Sequence, residues 1–175
     1  MHRGGRASRG DGAARRPPPS LNEAIDLALR YLAARPRSEH EVRRRLRRTG
    51  LDETVIETLL GRLRSSGLVD DVAFAEYWVE QRQTFRPRGS RLLEAELRQH
   101  GVSAELATAA AEPADASAED DASRVGRKRA VQLSRLDERT FRTRLGQTLA
   151  RRGFDWDTIA TTVDRLWTEL HAAPT

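Results

Sequence analysis

Apolar residues recur every three or four positions from residue 21 onward, the spacing of a helix with one buried face. The first such stretch predicts a helix with Ala24, Leu27, Ala28, Tyr31 and Leu32 on that face. Because proline disfavours helical backbone in the residue before it, the helix should end at Arg35-Pro36-Arg37. The pattern then resumes, so further helices follow.

Local signals at helix ends bound the next two helices. Ser38 with Glu41 three residues later is a capping box, which starts a second helix that buries Val42 and Leu46. Gly50 is placed to end it as a left-handed cap. A third helix then ends at Gly67, with an apolar face of Val55, Ile56, Leu59, Leu60 and Leu63.

This three-helix plan repeats along the chain. Arg35-Pro36-Arg37-Ser38 corresponds to Arg86-Pro87-Arg88-Gly89, and Leu46–Leu51 corresponds to Leu97–Val102, both 51 positions later. A weaker third copy lies at Leu149–Phe154, a further 52 positions along, and its last helix carries Ile159, Val163, Leu166 and Trp167. An internal repeat of this length is typical of helical arrays.

The repeat predicts an all-α fold of three tandem three-helix units over residues 21–68, 69–112 and 120–171. One such unit is too small for a sizeable core, so each should pack on its neighbour in an elongated, curved array. Residues 1–20 are rich in Gly, Arg and Pro, which predicts a disordered basic tail. Residues 113–119 are interpreted as a flexible acidic linker.

Composition adds a basic charge and narrows the chemistry. The net charge is +5, and Lys128 is the one lysine among many arginines. The absence of cysteine excludes disulfides and a thiol nucleophile. No apolar run reaches the roughly 18 residues of a membrane helix, and nothing resembles a secretory signal. We therefore expect a cytoplasmic protein without membrane contact.

No catalytic or cofactor-binding arrangement is present in the sequence. The histidines at positions 2, 40, 100 and 171 are scattered rather than at metal-ligand spacing. Asp70 and Asp71 are adjacent at a helix start, where they cannot face one another as an acid–base pair. We expect no enzyme activity, no catalytic residues, no metal and no cofactor.

The segment from Gly67 to Arg82 opens the second unit with a distinctive pattern. A glycine and two apolar residues precede Asp70 and Asp71, and then come Phe74-Ala75 and Trp78. An aspartate here can cap the helix, and Phe74 and Trp78 are one turn apart. Aromatic residues at helical spacing are usually core, so we interpret these residues as fold determinants, together with Gly50, Gly67 and Gly101.

This pattern resembles the RecX family of recombination regulators. The resemblance includes Tyr31-Leu32, Arg35-Pro36-Arg37-Ser38, Glu41, Leu46 and Gly50 upstream, and Gly89, Glu96, Leu97 and Gly101 downstream. It covers residues 24–112 well, the third unit more loosely, and not the N-terminal tail. It implies tandem three-helix modules that bind the RecA recombinase on DNA and suppress its ATPase, strand-exchange and repressor-cleavage activities.

Exposed basic side chains are the candidate contacts for such a partner. Helical periodicity places Arg44, Arg47 and Arg48 opposite Val42 and Leu46, with Arg37 near the same side. The full set of candidates is Arg35, Arg37, Arg44, Arg47, Arg48, Arg82, Arg86, Arg88, Arg91, Arg98, Arg127, Lys128 and Arg129. Guanidinium groups make forked contacts to carboxylates and phosphates. We expect a monomer that binds RecA filaments and, without sequence preference, single- or double-stranded DNA.

Other interpretations of these features stay open at this stage. Any single arginine can simply keep a helix face soluble. A three-helix unit with a basic helix can also resemble a helix-turn-helix that reads duplex DNA directly. A helical-repeat adaptor for another acidic partner is a third possibility. Sequence-specific duplex binding would favour the second interpretation, whereas a requirement for RecA would favour the regulator.

Overall fold

A computed structural model describes residues 17–172. Within that range all regular structure is helical, which confirms the all-α expectation. The predicted tail over residues 1–20 lies almost entirely outside the described residues. Its end is described, however: Ser20 caps the first helix in a capping box with Glu23, a signal that sequence analysis had assigned to the tail.

The helices fall into three consecutive units of three. The first unit contains α1 (Leu21–Ala33), α2 (Glu39–Arg47) and α3 (Glu53–Ser65). The second contains α4 (Asp71–Phe85), α5 (Ser90–Gln99) and α6 (Ala104–Ala111). The third contains α7 (Ala118–Leu133), α8 (Glu138–Ala150) and α9 (Trp156–His171). The tandem arrangement is thus confirmed.

The acidic segment between the second and third units is helical rather than a loop. Glu112–Ser117 forms a short 3₁₀ helix that continues directly into α7. Pro113 lies in its first turn, where its fixed φ suits a helix start. Ala114 is buried beside Leu93 and Ala111 of the second unit. This packing anchors the segment that we had expected to be a flexible linker.

Each unit has a core formed from the predicted apolar faces. In the first unit, the core joins Ala24 and Ala28 of α1 to Val42 and Leu46 of α2 and to the apolar face of α3. In the second, Phe74 and Ala75 pack against Leu97, Val102 and Ala107. In the third, α7 packs on Phe141, Leu145 and Leu149 of α8 and on Leu166 of α9.

The same kind of joint links successive units. The start of the middle helix in one unit meets the left-handed glycine that follows the middle helix of the next. Ser38 Oγ donates to the His100 carbonyl at 2.5 Å, and the Gly89 amide donates to the Arg152 carbonyl at 3.0 Å. Gly101 and Gly153 follow these carbonyls, with φ of 83° and 84°.

Both joint glycines are also tightly packed. A Cβ on Gly101 would lie 2.2 Å from the Cβ of His40, and one on Gly153 would lie 2.3 Å from the Cβ of Leu92. Gly50 has the same left-handed backbone, with φ of 82°, yet a Cβ there would meet no atom of the described residues within 4 Å. Gly50 therefore only ends a helix, whereas Gly101 and Gly153 also make room for a neighbouring unit.

The middle helix of the third unit is longer than its counterparts. α8 has 13 residues, whereas α2 has 9 and α5 has 10. The additional turn is at its start, where Asp137 accepts from the Thr140 amide at 3.0 Å. Counting back the same number of residues from Gly50, Gly101 and Gly153, Phe141 of α8 corresponds to Ser38 and Gly89, and Phe141 is fully buried.

Candidate binding surface

Several of the predicted contact arginines are bound to carboxylates within the chain. Arg35 lies 2.9 Å and Arg37 3.6 Å from the carboxylate of Glu41, which is only 4% exposed. The Arg37 guanidinium also lies 4.1 Å from the centre of the Tyr31 ring. Arg37 therefore faces the interior of the joint rather than the solvent side of α2, where periodicity had placed it.

Glu96 binds a second group of basic residues in the middle unit. Its carboxylate accepts from Trp78 Nε1 and from Arg82 Nε, each at 3.0 Å, and forms an ion pair with Arg88. The Arg82 guanidinium lies 3.9 Å above the Trp78 ring, a cation–π arrangement. Arg82 and Arg88 thus help to hold α4, α5 and the connecting loop together.

Arg43 is the centre of an ion-pair network that sequence analysis missed. It pairs with Glu39 at 2.8 Å, with Glu53 at 2.9 Å and with Glu57. Arg47 shares Glu53 at 2.7 Å, and the two guanidinium groups lower the pKa of Glu53 to about 2. The Glu39–Arg43 spacing of four residues was the available signal, but the contacts to α3 required the tertiary structure.

The paired aspartates and aromatic residues lie at the joint between the first two units. Asp70 caps α4 by accepting from the Val72 and Ala73 amides. Asp71 reaches across the joint and accepts from the Glu39 amide at 2.8 Å, and its burial raises its pKa. Both aspartates therefore make their hydrogen bonds to backbone amides within the chain.

His100 joins the aromatic and ionic groups of this joint. Its ring centre lies 4.2 Å from that of Trp78 and 5.6 Å from that of Phe74, which is buried. His100 Nδ1 is 3.6 Å from the Glu41 carboxylate. Burial nevertheless lowers the pKa of His100, because the surrounding rings exclude the water that would solvate its charged form.

The other candidate cations remain at the surface. Arg98 and Arg127 make ion pairs, at 3.3 Å to Glu94 and 3.0 Å to Glu169, but more than half of each side chain stays exposed. Such pairs contribute little and exchange readily. Within residues 17–172 the remaining candidates are exposed and have no carboxylate partner: Arg44, Arg48, Arg86, Arg91, Lys128 and Arg129.

These free cations are distributed over all three units. Arg44 lies on α2 and Arg48 is the C-cap residue one turn later, both opposite the buried Val42 and Leu46. The second unit contributes Arg86 and Arg91, and the third contributes Lys128 and Arg129 on α7. The described part of the chain thus presents unpaired positive charge along its length, and it places no three His, Asp or Glu side chains together as metal ligands.

Comparison with family models covers most of the chain. Three models match in tandem: the first three-helix domain of RecX at residues 24–63, the second at 70–110 and the third at 118–163. The chain belongs to the RecX family. The weaker third copy of the repeat is therefore the third RecX domain.

Relatives and solved structures agree with this assignment. The chain is 42% identical over 139 residues to a regulatory protein RecX of Amycolatopsis mediterranei, which covers 79% of each chain. It is 34% identical over 146 residues to one from Prosthecochloris aestuarii, with 83% of this chain and 95% of that relative covered. The crystal structure of RecX from Lactobacillus salivarius superposes with a TM-score of 0.78 at 24% identity, covering 83% of this chain and 96% of that one.

RecX membership fits a regulatory protein. The relatives are named for regulation, and the Lactobacillus salivarius structure shares the fold. No helix within residues 17–172 is both long and apolar enough to span a membrane.

Proposed function

We propose that this chain binds the RecA recombinase filament on DNA and restrains its ATPase, strand-exchange and repressor-cleavage activities without being an enzyme itself. Membership of the RecX family supports the proposal. The observation that carries it further is the set of exposed cations that have no carboxylate partner within residues 17–172, which occurs on every unit.

The chemistry of these cations suits a nucleoprotein filament. A guanidinium group makes forked, two-point contacts to carboxylates and phosphates, so one surface can meet acidic protein side chains and the DNA backbone together. Contacts to phosphate carry no sequence information and weaken steeply with salt. Binding should therefore depend on the filament and on ionic strength, and not on the DNA sequence.

The tandem architecture explains how binding could restrain a polymer. Each unit is a separate core with its own free cations, so a single chain can touch more than one filament subunit. Linked weak contacts gain strength because the second forms at a high effective concentration. Restraint further requires that the chain prefer one filament state over another, since equal affinity for both would shift nothing.

The decisive test is the ATPase activity of RecA on single-stranded DNA with this protein added at substoichiometric amounts. We expect inhibition by the intact chain and much weaker inhibition by the double variant Arg44→Glu, Arg48→Glu. The matched control is Arg30→Glu, Arg62→Glu, which reverses two other exposed cations of the first unit that have no ion pair to residues 17–172. Reversal at a helix end can cost up to about 1 kcal/mol, so thermal midpoints of all variants are compared.

Two results would count against the proposal. If the intact chain leaves both the ATPase rate and filament disassembly unchanged, the filament is not its target. If the chain instead prefers one duplex sequence at physiological salt without RecA, it reads DNA directly. If Arg44→Glu, Arg48→Glu inhibits as well as the control, α2 is not the contact surface, and the other cations are tested in turn.

A further inference from the structure

Trp156 is more exposed than any other large apolar side chain in residues 17–172, at 78%. It is the first residue of α9, directly after the capping Asp155. The same position is Glu53 in α3 and Ala104 in α6. A helix start of this kind therefore needs no aromatic residue, and tryptophan is not a strong helix former. The fold alone does not account for Trp156.

Trp156 lines a surface groove of about 460 Å³ at the joint between the second and third units. Arg91 and Arg151 line the same groove, and Leu92, Phe154 and Ile159 contribute apolar wall. Both arginines are exposed and have no carboxylate partner in the described chain, and no acidic residue lines the groove. The groove thus combines one free aromatic face with two free guanidinium groups.

The joint between the first two units is an internal control. The repeat of 51 or 52 residues relates each groove residue to a residue of the earlier joint. Arg91 corresponds to His40, Arg151 to Gln99 and Trp156 to Ala104. The earlier joint forms with the same glycine geometry, with φ of 83° against 84°. Neither the arginines nor the tryptophan is therefore required to hold two units together.

We propose that this groove binds single-stranded nucleic acid, with one base stacked on Trp156 and the adjoining phosphates at Arg91 and Arg151. Aromatic side chains beside a cationic groove bind single strands in this way, because every base has a face to stack while the backbone is anionic. In a duplex those faces are covered by neighbouring base pairs. An acidic peptide would use the arginines but would leave the indole face uncovered.

The charged side chains around Trp156 determine where the phosphate backbone of the nucleic acid would lie. Asp155 is engaged in capping, accepting from the Thr158 amide at 2.8 Å, and Asp157 follows Trp156 and is exposed. Phosphates should therefore lie on the Arg91 and Arg151 side of the ring, away from Asp157. The inference deepens the proposed function by naming a DNA contact, but it concerns the chain without RecA and can fail or succeed independently.

The test is binding of the purified full chain to a fluorescent oligo(dT), measured by anisotropy and by tryptophan quenching. Stacking losses of the usual size predict that Trp156→Ala weakens binding about 5- to 150-fold, whereas Trp156→Phe retains most of the affinity. The probe is compared with an abasic oligonucleotide of equal length, which keeps the phosphates and lacks the bases. The intact chain should prefer oligo(dT), and Trp156→Ala should bind both equally.

A second variant set tests the phosphate contacts. The double variant Arg91→Ala, Arg151→Ala should make the negative slope of log affinity against log salt shallower by about 1.4, at roughly 0.7 for each phosphate contact to a single strand. Controls are Phe85→Ala, which removes another aromatic side chain that is 73% exposed and lies outside the groove, and Arg62→Ala. Both controls should bind like the intact chain, and all variants should keep its thermal midpoint.

Two results would overturn the inference. One is equal affinity of the intact chain for oligo(dT) and the abasic strand. The other is unchanged oligo(dT) binding by Trp156→Ala. If that variant also loses RecA inhibition, the groove is a protein contact. Weak oligo(dT) binding by Trp156→Ala with RecA inhibition intact would support the groove and separate it from the regulatory surface.

Discussion

Replacing Gly153 by alanine tests the joint between the second and third units, because the substitution has two separable costs. The first is conformational: Gly153 has φ of 84°, and a side chain in the left-handed region costs about 1–2 kcal/mol. The second is steric, since the new Cβ would lie 2.3 Å from the Leu92 Cβ and 2.7 Å from the Leu92 backbone nitrogen. Backbone cannot move aside as a flexible side chain can.

The steric cost can be isolated with Gly50→Ala. Gly50 has φ of 82° and free space around its would-be Cβ, so this variant should show the conformational cost alone. Overpacking at Gly153 adds about 1–3 kcal/mol, for a total of about 2–5 kcal/mol. At roughly 2–4 °C per kcal/mol for a chain of this size, Gly153→Ala should melt several degrees below Gly50→Ala.

The assay is urea and thermal unfolding of the intact chain and the two variants, followed by circular dichroism. Exchange of the Gly89 amide proton adds a local measurement, because this amide donates to the Arg152 carbonyl at 3.0 Å across the joint. Its protection should fall in Gly153→Ala and stay unchanged in Gly50→Ala. Equal destabilisation by the two substitutions, with Gly89 protection intact, would refute the packing that we describe at this joint.

Three further predictions concern the first joint and its helix cap. Glu41→Ala should destabilise the chain by about 3–5 kcal/mol in urea unfolding, because it leaves Arg35 and Arg37 without their buried partner. The control Glu57→Ala removes an exposed ion pair and should have little effect. Burial lowers the pKa of His100 below its ordinary 6.5, so the free energy of unfolding should fall as the pH drops below that value. The variant His100→Gln should show a weaker dependence of stability on pH, and an NMR-measured pKa of His100 above 6.5 would contradict the prediction. Asp70→Ala should cost about 1 kcal/mol through the lost cap of α4, detected as a lower urea midpoint.

The helical units could be predicted from sequence because their signals are local. The capping box of Ser38 and Glu41 and the helix-ending Gly50 each depend on residues close in the chain, and the structure has the expected cap and left-handed glycine. Capping and helix periodicity act within one or two turns. Tertiary contacts are not needed to recognise them.

The partners of individual arginines could not be predicted in the same way. Arg82 and Arg88 meet Glu96 only because α4 and α5 pack at a particular angle, and Arg43 meets Glu53 and Glu57 across to α3. Periodicity gives the face on which a residue lies but not the reach of a long side chain. The sequence therefore predicted a basic surface without separating bound from free cations.

The 3₁₀ helix at Glu112–Ser117 shows a different limit. The composition of residues 112–121, with five acidic residues and a proline, predicted an exposed linker. In the structure, however, Ala114 is buried against the second unit. Small residues such as alanine give almost no hydrophobic signal in a window of this length, but they allow close packing of the backbone. Whether such a segment is held down depends on a neighbouring surface that the segment itself does not encode.

The longer α8 makes the two ends of the array chemically unequal. In the first unit, no described residue of another unit packs against Gly50. In the other two units, the loops with Gly101 and Gly153 each pack against the start of the middle helix of the preceding unit. In the third unit, a full extra turn precedes Phe141, the position at which α2 and α5 begin in their units. A fourth module could therefore be added ahead of α1, with the start of its middle helix packed against the Gly50 loop. Adding a module after α9 would first require deletion of Asp137–Thr140. A designed array could thus be extended in one direction only.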